Sequence, residues 1–162
     1  MNLRPSALPL HHPAALIATW FGAGLMPHAP GTWGSLAALP FAWIIAWAGG
    51  IWALAAATAA VSLLGCWAAG RYIRARGKQD PGDVVVDEVA GQWLTLLPAA
   101  TDIGFFAAGF VLFRIADIAK PWPASWADRR LKGGLGCMLD DLLAGTYAAL
   151  ALQGLRLLLE RV

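Results

Sequence analysis

Two adjacent acidic pairs, Asp87-Glu88 and Asp140-Asp141, each stand just before an apolar run. Acidic side chains in the first turn of a helix accept backbone N–H bonds, so helix capping is the simpler explanation for either pair alone. Neighbouring helix positions point about 100° apart, however, so both members of a pair cannot cap equally well. With Asp117 in reach, the five carboxylates predict an oxygen-rich site for Mg²⁺.

Basic side chains are interleaved with these acids. Arg114, Asp117 and Lys120 are spaced by three residues, which places them on nearly one helix face before Pro121 ends the helix. An ion-pair ladder and an active site both explain this spacing. In an active site, Arg114 and Lys120 would stabilise phosphoryl oxygens, and Asp117 would act as a general base or a further metal ligand.

Two glycine-bearing segments supply backbone amides that could bind phosphate. Residues 30–35 (PGTWGS) open a helix predicted from residue 36, and residues 133–136 (GGLG) precede Asp140. Amides at helix starts bind phosphate oxygens, although Ser35 also suits an N-cap and glycines also form turns. Neither segment fits the P-loop or dinucleotide-binding pattern. The candidate phosphate-binding residues are Gly31, Thr32, Gly34 and Ser35.

Together, the carboxylates, the cations and the glycine-bearing segments describe a phosphate-handling site. Several other chemistries by which phosphatases act do not fit the residues. A Cys-x₅-Arg nucleophile is excluded, because Tyr72 and Leu143 stand where the arginine would follow Cys66 and Cys137. The chain has no Asp-x-Asp motif, and its three histidines all precede the charged segments. Metal-activated water is the chemistry that remains, while a covalent aspartyl-phosphate stays an open alternative route.

The composition indicates that the apolar segments lie in a membrane and hold these groups at its surface. The 162 residues are 59% hydrophobic and 14% charged, against about 25% charged in a typical soluble domain. No Asp, Glu, Lys or Arg lies between Arg4 and Arg71, a gap far longer than one spanning helix requires. A net charge of +2 gives no basic footprint for nucleic acid. The length predicts a single domain, residues 1–162.

The apolar runs predict an all-α fold, because alanine and leucine dominate and strand alternation is absent. Gly49-Gly50 favours a turn between 36–48 and 51–70, and a second hairpin pairs 89–101 with 103–113. Both hairpins bring the charged segments to one face of a compact helical membrane protein. The predicted helical runs are 14–26, 36–48, 51–70, 89–101, 103–113 and 142–159.

The charged face is predicted to lie on the cytoplasmic side, because the basic residues that follow the 51–70 run obey the positive-inside rule. These residues are Arg71, Arg74, Arg76 and Lys78. Nine tryptophans fit belts at the membrane interfaces, with Trp43, Trp47 and Trp52 near the distal turn and Trp122 and Trp126 near the charged face. Tryptophans packed in the core of a soluble helical protein are the alternative.

Three blocks of the sequence resemble the signature motifs of the phosphatidylglycerophosphatase A family. They are residues 30–40 (PGTWGSLAALP), 80–98 (DPGDVVVDEVAGQWLTLLP) and 113–149 (FRIADIAKPWPASWADRRLKGGLGCMLDDLLAGTYAA). The resemblance implies an Mg²⁺-dependent enzyme that hydrolyses phosphatidylglycerophosphate to phosphatidylglycerol and phosphate. It also implies a place in the bacterial inner membrane and in phospholipid synthesis.

The resemblance assigns the predicted residues to the family's motifs. The metal-binding pairs fall on Asp87, Glu88, Asp140 and Asp141; the catalytic run falls on Arg114, Asp117 and Lys120; the loop block falls on Gly31, Thr32, Gly34 and Ser35. Asp80 also matches the family, whereas Asp83 stands where variation is expected.

Other functions stay open at this point. The substrate could be phosphatidic acid or another lipid phosphate. A polytopic transporter would line its pathway with intramembrane carboxylates, yet nearly all the acids lie outside the apolar runs. A non-enzymatic membrane protein would only bind anionic headgroups through its charged loops. A homodimer is also left open.

Overall fold

The computed structural model describes residues 8–78 and 81–161, so Asp80 lies outside the described residues. The described residues are helical and contain no β-strand, which confirms the predicted all-α fold. The helices are α1 (Pro13–Ala18), α2 (Pro30–Arg76), α3 (Val86–Thr95), α4 (Ile103–Ala119), α5 (Ala124–Arg130) and α6 (Gly133–Leu159), with short 3₁₀ turns at Ala23–Leu25 and Leu97–Ala99.

Helix α2 is a hairpin that reverses at Gly50, where φ is 66° and ψ is −164°. A Cβ on Gly34 would lie 2.7 Å from the Cβ of Val85, and one on Gly65 would lie 3.3 Å from Val86. A straight helix would separate Gly34 from Gly65 by about 46 Å. The chain therefore folds back into an outbound arm and a return arm, as predicted for residues 36–48 and 51–70.

The second predicted hairpin is formed by α3 and α4. A Cβ on Gly91 of α3 would lie 2.5 Å from the Phe113 ring of α4. Further along, a Cβ on Gly109 of α4 would lie 2.8 Å from Leu96. The first turn of α3 and the last turn of α4 consequently lie at the same end of the bundle.

Two helices begin six or more residues earlier than the apolar pattern predicts. Helix α2 begins at Pro30 rather than 36, and α6 begins at Gly133 rather than 142. Proline suits the first turn of a helix, and the polar or small residues of a first turn carry no apolar periodicity. Both glycine-bearing segments are thus helical turns rather than loops. Asp140 and Asp141 lie inside α6, so they do not cap it.

Glycines bring α3 and α6 into backbone contact. A Cβ on Gly145 would lie 2.5 Å from the Gly91 carbonyl oxygen, and one on Gly91 would lie 2.6 Å from the Asp141 carbonyl oxygen. The Thr95 hydroxyl lies at the same junction, 2.9 Å from the Gly91 carbonyl oxygen and 3.2 Å from that of Gly145. Close approach through small residues is typical of helices packed in membranes. This junction sets the height of Asp141 relative to α3.

Alanine at position 145 should lower the stability of the fold by about 1–3 kcal/mol, because its methyl group would press on the α3 backbone. Gly154→Ala is the matched control, since Gly154 is in the same helix and a Cβ there meets nothing within 4 Å. That control should stabilise the helix by up to about 1 kcal/mol. Thermal unfolding in detergent would measure both; equal midpoints for the two variants would contradict the assigned packing.

Two helices, α2 and α6, are long and apolar enough to cross a membrane. Only 22% of the most apolar stretch of each is buried, whereas a core helix of a soluble protein is mostly buried. Trp47 and Trp52 are exposed beside the Gly50 turn, and Trp122 is exposed near the charged end. In contrast, Trp43 packs against Phe106, with ring centroids 4.9 Å apart.

Candidate active site

A cleft of about 610 Å³ opens at the end of the bundle where α3 begins and α4 ends. Its walls bring together residues from both acidic pairs, from the run 114–120 and from both glycine-bearing segments. The charged residues that line it are Asp87, Glu88, Arg114, Asp117, Lys120, Asp128, Lys132, Asp140 and Asp141. The convergence that the sequence predicts is therefore present.

Three of the predicted metal ligands form one carboxylate cluster. Asp87 and Glu88 occupy the first turn of α3, and Asp141 faces them from α6 with only 3% of its surface exposed. One carboxylate oxygen from each residue lies within 4.8 Å of the others. Asp141 is far from Asp87 and Glu88 in the chain, so tertiary packing alone brings it to them.

The charge and burial of this cluster fit a divalent cation. Burial, together with the nearby Asp141 carboxylate, raises the pKa of Asp87 to about 7. Burial and the charge of Asp87 also raise the pKa of Glu88 well above its ordinary value. Glu88 Oε2 is buried and has no hydrogen-bond partner within the described chain. Hard carboxylate oxygens of this kind are the ligands that Mg²⁺ prefers.

Asp140, the fourth predicted metal ligand, contacts Lys120 instead of joining the cluster. Lys120 Nζ pairs with Asp140 Oδ2 and lies 3.7 Å from Asp141 Oδ1, 3.7 Å from Asp128 Oδ1 and 3.9 Å from Asp117 Oδ1. Burial by itself lowers the pKa of Lys120, but Asp141, Asp140 and Asp117 outweigh it, so the pKa is raised. Lys120 is therefore a permanent cation at the cluster's edge. Asp140 as a metal ligand stays a prediction.

Arg114 is the second cation of the cleft. Its Nη1 lies 2.7 Å from Asp117 Oδ2 and donates to the Ser35 hydroxyl oxygen at 3.4 Å. Ser35 is fully buried, and its hydroxyl donates to the Gly31 carbonyl oxygen. The ladder of Arg114, Asp117 and Lys120 thus exists, and it lines the cleft. The side chains of the ion-pair ladder are therefore also side chains of the cleft wall.

The candidate phosphate-binding residues divide between two environments. Gly31 and Thr32 line the cleft, whereas Gly34 packs on Val85 and Ser35 lies behind Arg114. The Thr32 amide donates to the Ala29 carbonyl oxygen at 3.0 Å, so it is already used inside the helix. Because α2 begins at Pro30, successive residues rotate about 100° and only some of them face the cleft.

Cys137 lines the cleft, although no role was predicted for it from the sequence. Its thiol donates to Asp87 Oδ2, with Sγ and Oδ2 2.8 Å apart. Cys137 precedes Asp141 by four residues on α6, which places both on one helix face. That spacing would have identified Cys137 once α6 was known to begin at Gly133.

Asp83, where variation was expected, ties the segment before α3 to the end of α2. The Tyr72 hydroxyl donates to Asp83 Oδ2 at 2.5 Å, and Arg76 Nη2 donates to the same oxygen at 2.6 Å. The Tyr72 side chain is buried. This network therefore holds the approach to the helix that carries Asp87 and Glu88.

Alanine at position 31 should weaken metal binding about 10–100-fold while the protein still folds. A Cβ on Gly31 would collide with Glu88 Oε1, the movable end of a side chain, and push it out of the cluster. Gly82→Ala is the control, because Gly82 lines the same cleft and a Cβ there meets nothing within 4 Å. Titration calorimetry with Mn²⁺ would compare the two; equal affinities would refute the effect.

Comparisons with known proteins agree on one family. Residues 16–156 match the family profile described as phosphatidylglycerophosphatase A. Phosphatidylglycerophosphatase A of Escherichia coli (strain K12) is 41% identical over 150 residues, which cover 91% of this chain and 86% of that protein. The protein of the same name from Haemophilus influenzae is 39% identical over 143 residues, covering 87% of each chain.

A third relative carries a different name. A protein from Bacteroides thetaiotaomicron, named putative phosphatidylinositol-3-phosphatase, is 39% identical over 152 residues, covering 90% of this chain and 91% of that protein. No solved structure gives a significant match.

Proposed function

Because the chain belongs to the phosphatidylglycerophosphatase A family and is therefore a phosphatase, we propose that it hydrolyses phosphatidylglycerophosphate to phosphatidylglycerol and phosphate with Mg²⁺. The observation that carries this proposal is the meeting of a carboxylate cluster with Arg114 and Lys120 in one cleft. A phosphate monoester is an anion, and carboxylates alone would repel it. Lys120 and Arg114 supply the attraction on the protein side.

We propose that Asp87, Glu88 and Asp141 hold the metal ion, with Asp140 as a further ligand. When bound, Mg²⁺ would offset the charge of the phosphate and lower the pKa of a bound water. Lys120 and Arg114 bind the phosphoryl oxygens, where negative charge develops during transfer. Asp117, beside both cations, accepts the proton of the attacking water.

The first turn of α2 completes the phosphate-binding wall in this proposal. Gly31 and Thr32 lie in that wall, while Ser35 and Gly34 support it from behind, through Arg114 and Val85 respectively. Uncatalysed hydrolysis of phosphate monoesters is among the slowest biological reactions, so several such contacts are needed. Rapid acid quenching of the protein with a ³²P-labelled substrate would distinguish the routes, because a covalent aspartyl-phosphate would leave label on the protein and direct attack would not.

We further propose that the chain lies in the bacterial inner membrane with its cleft facing the cytoplasm, where it acts in phospholipid synthesis. The basic end of α2 lies at the cleft end of the bundle, since Arg76 bonds Asp83 and a Cβ on Gly70 would lie 3.6 Å from the Gly134 amide nitrogen. Basic residues favour the cytoplasmic side. The single domain and the homodimer stay predictions.

The test is phosphate release by the purified full-length protein in detergent micelles. Phosphatidylglycerophosphate should be hydrolysed with Mg²⁺ and not with EDTA. The panel should include phosphatidic acid and phosphatidylinositol 3-phosphate, the latter because a 39% identical relative is named for it. Faster hydrolysis of either alternative would replace the proposed substrate. Release that is unaffected by EDTA would refute the metal site.

A further inference from the structure

One face of α4 carries a continuous stripe of exposed apolar side chains that ends in the cleft. Ile103, Val111, Ile115 and Ile118 are 78%, 53%, 60% and 74% exposed, and Ala107 is exposed between the first two. Their spacing of three or four residues keeps them on one side of the helix. Ile118 is the last of them and also lines the polar cleft.

Ile118 occupies the boundary between these two environments. It is adjacent to Asp117 and lies two residues before Lys120, the cation that pairs with Asp140. The other apolar rim residues offer less surface, because Ala29 is small and Leu131 is only partly exposed. A large isoleucine that is 74% exposed thus lies beside Asp117 at the edge of the polar cleft.

The length of the stripe suits a lipid chain. From Ile103 to Ile118 the helix rises about 22 Å, which exceeds the roughly 15 Å of hydrocarbon in one bilayer leaflet. A phosphate bound by Lys120 and Arg114 would leave its apolar chains at the cleft mouth. The stripe is the apolar surface that begins there.

We propose that the α4 stripe is the docking surface for the acyl chains of the lipid substrate, with Ile118 as a specificity-determining contact where the headgroup leaves the bilayer. This inference rests on the proposed function. The proposed occupant is a diacyl lipid phosphate, because the polar cleft binds the phosphate and the α4 stripe contacts the acyl chains.

Ile118→Ser should lower the ratio of kcat/KM for the long-chain lipid to kcat/KM for a monomeric dibutyryl analogue by roughly tenfold. The loss should lie in KM for the long-chain lipid. Ile118→Leu, which keeps the apolar surface, should restore the ratio. Ile44→Ser is the control, because Ile44 is 61% exposed on α2 and does not line the cleft.

The results of these assays distinguish failure of the docking surface from failure of the proposed phosphatase function. An unchanged ratio for Ile118→Ser, or an equal fall for Ile44→Ser, overturns the docking surface and leaves the phosphatase function standing. Equal losses on both substrates assign Ile118 a local structural role and also overturn it. If the unmutated protein releases phosphate from neither substrate, the proposed function fails and this inference fails with it.

Discussion

Asp141→Asn should reduce phosphate release by roughly 10³-fold or more while leaving the fold intact. Asparagine keeps the size of the side chain but removes the charge that a metal ion needs. Asp141 is 3% exposed and lies against Asp87 and Glu88, so its carboxylate is enclosed within the cluster. Asp87→Asn should behave in the same way.

Although Asp141→Asn should lower activity, it should not lower the stability of the protein. Three carboxylates, of which Asp141 is buried and Asp87 and Glu88 are partly buried, offer oxygens within 4.8 Å of one another and repel when ionised. Removing one charge relieves that repulsion, so in EDTA Asp141→Asn should unfold at the same temperature as the unmutated protein or higher. Added Mg²⁺ should raise the melting temperature of the unmutated protein and not that of the variant. Thermal unfolding in detergent with and without Mg²⁺ measures both effects.

Asp102→Asn is the matched control for the loss of a carboxylate. Asp102 accepts from the Phe105 amide at the start of α4, outside the cleft, and asparagine caps a helix as well as aspartate does. Its turnover should stay within twofold of normal. Near-normal turnover in both Asp141→Asn and Asp87→Asn would eliminate the metal assignment.

Lys120→Met should lose about 10²–10³-fold in turnover and also destabilise the protein. Methionine keeps the apolar stem but removes the cation that would bind the phosphoryl oxygens. It also leaves Asp140, Asp117 and Asp141 without their shared positive partner. Unsatisfied buried acceptors cost about 1–3 kcal/mol. Lys120→Met should therefore lose both activity and stability, whereas Asp141→Asn should lose activity alone.

Lys78→Met controls for the loss of one positive charge, because Lys78 is exposed and does not line the cleft. Lys120→Arg should fall between Lys120→Met and the unmutated protein, since it keeps the charge but changes the donor geometry. Phosphate release and thermal unfolding should be measured for all three variants. If Lys120→Met kept a turnover within threefold of normal, the ion-pair ladder of Arg114, Asp117 and Lys120 would have only a structural role.

Local signals explain why much of the architecture could be predicted. Apolar runs, the Gly49-Gly50 turn and the prolines are properties of short segments, so they predict helices and hairpins without knowledge of distant contacts. The first turns of α2 and α6 escaped prediction, because glycine and polar residues at a helix start give no apolar period. The helical placement of residues 30–35 therefore required the structure.

Within the site, the available residue types could be predicted from local sequence: paired acids, two cations three residues from Asp117, and a helical frame that returns them to one end. That Asp141 joins Asp87 and Glu88 while Asp140 pairs with Lys120 follows from the packing of distant helices. Adjacent helix residues point about 100° apart. The glycine contact between α3 and α6 fixes which of the two acids faces α3, and no local pattern encodes that register.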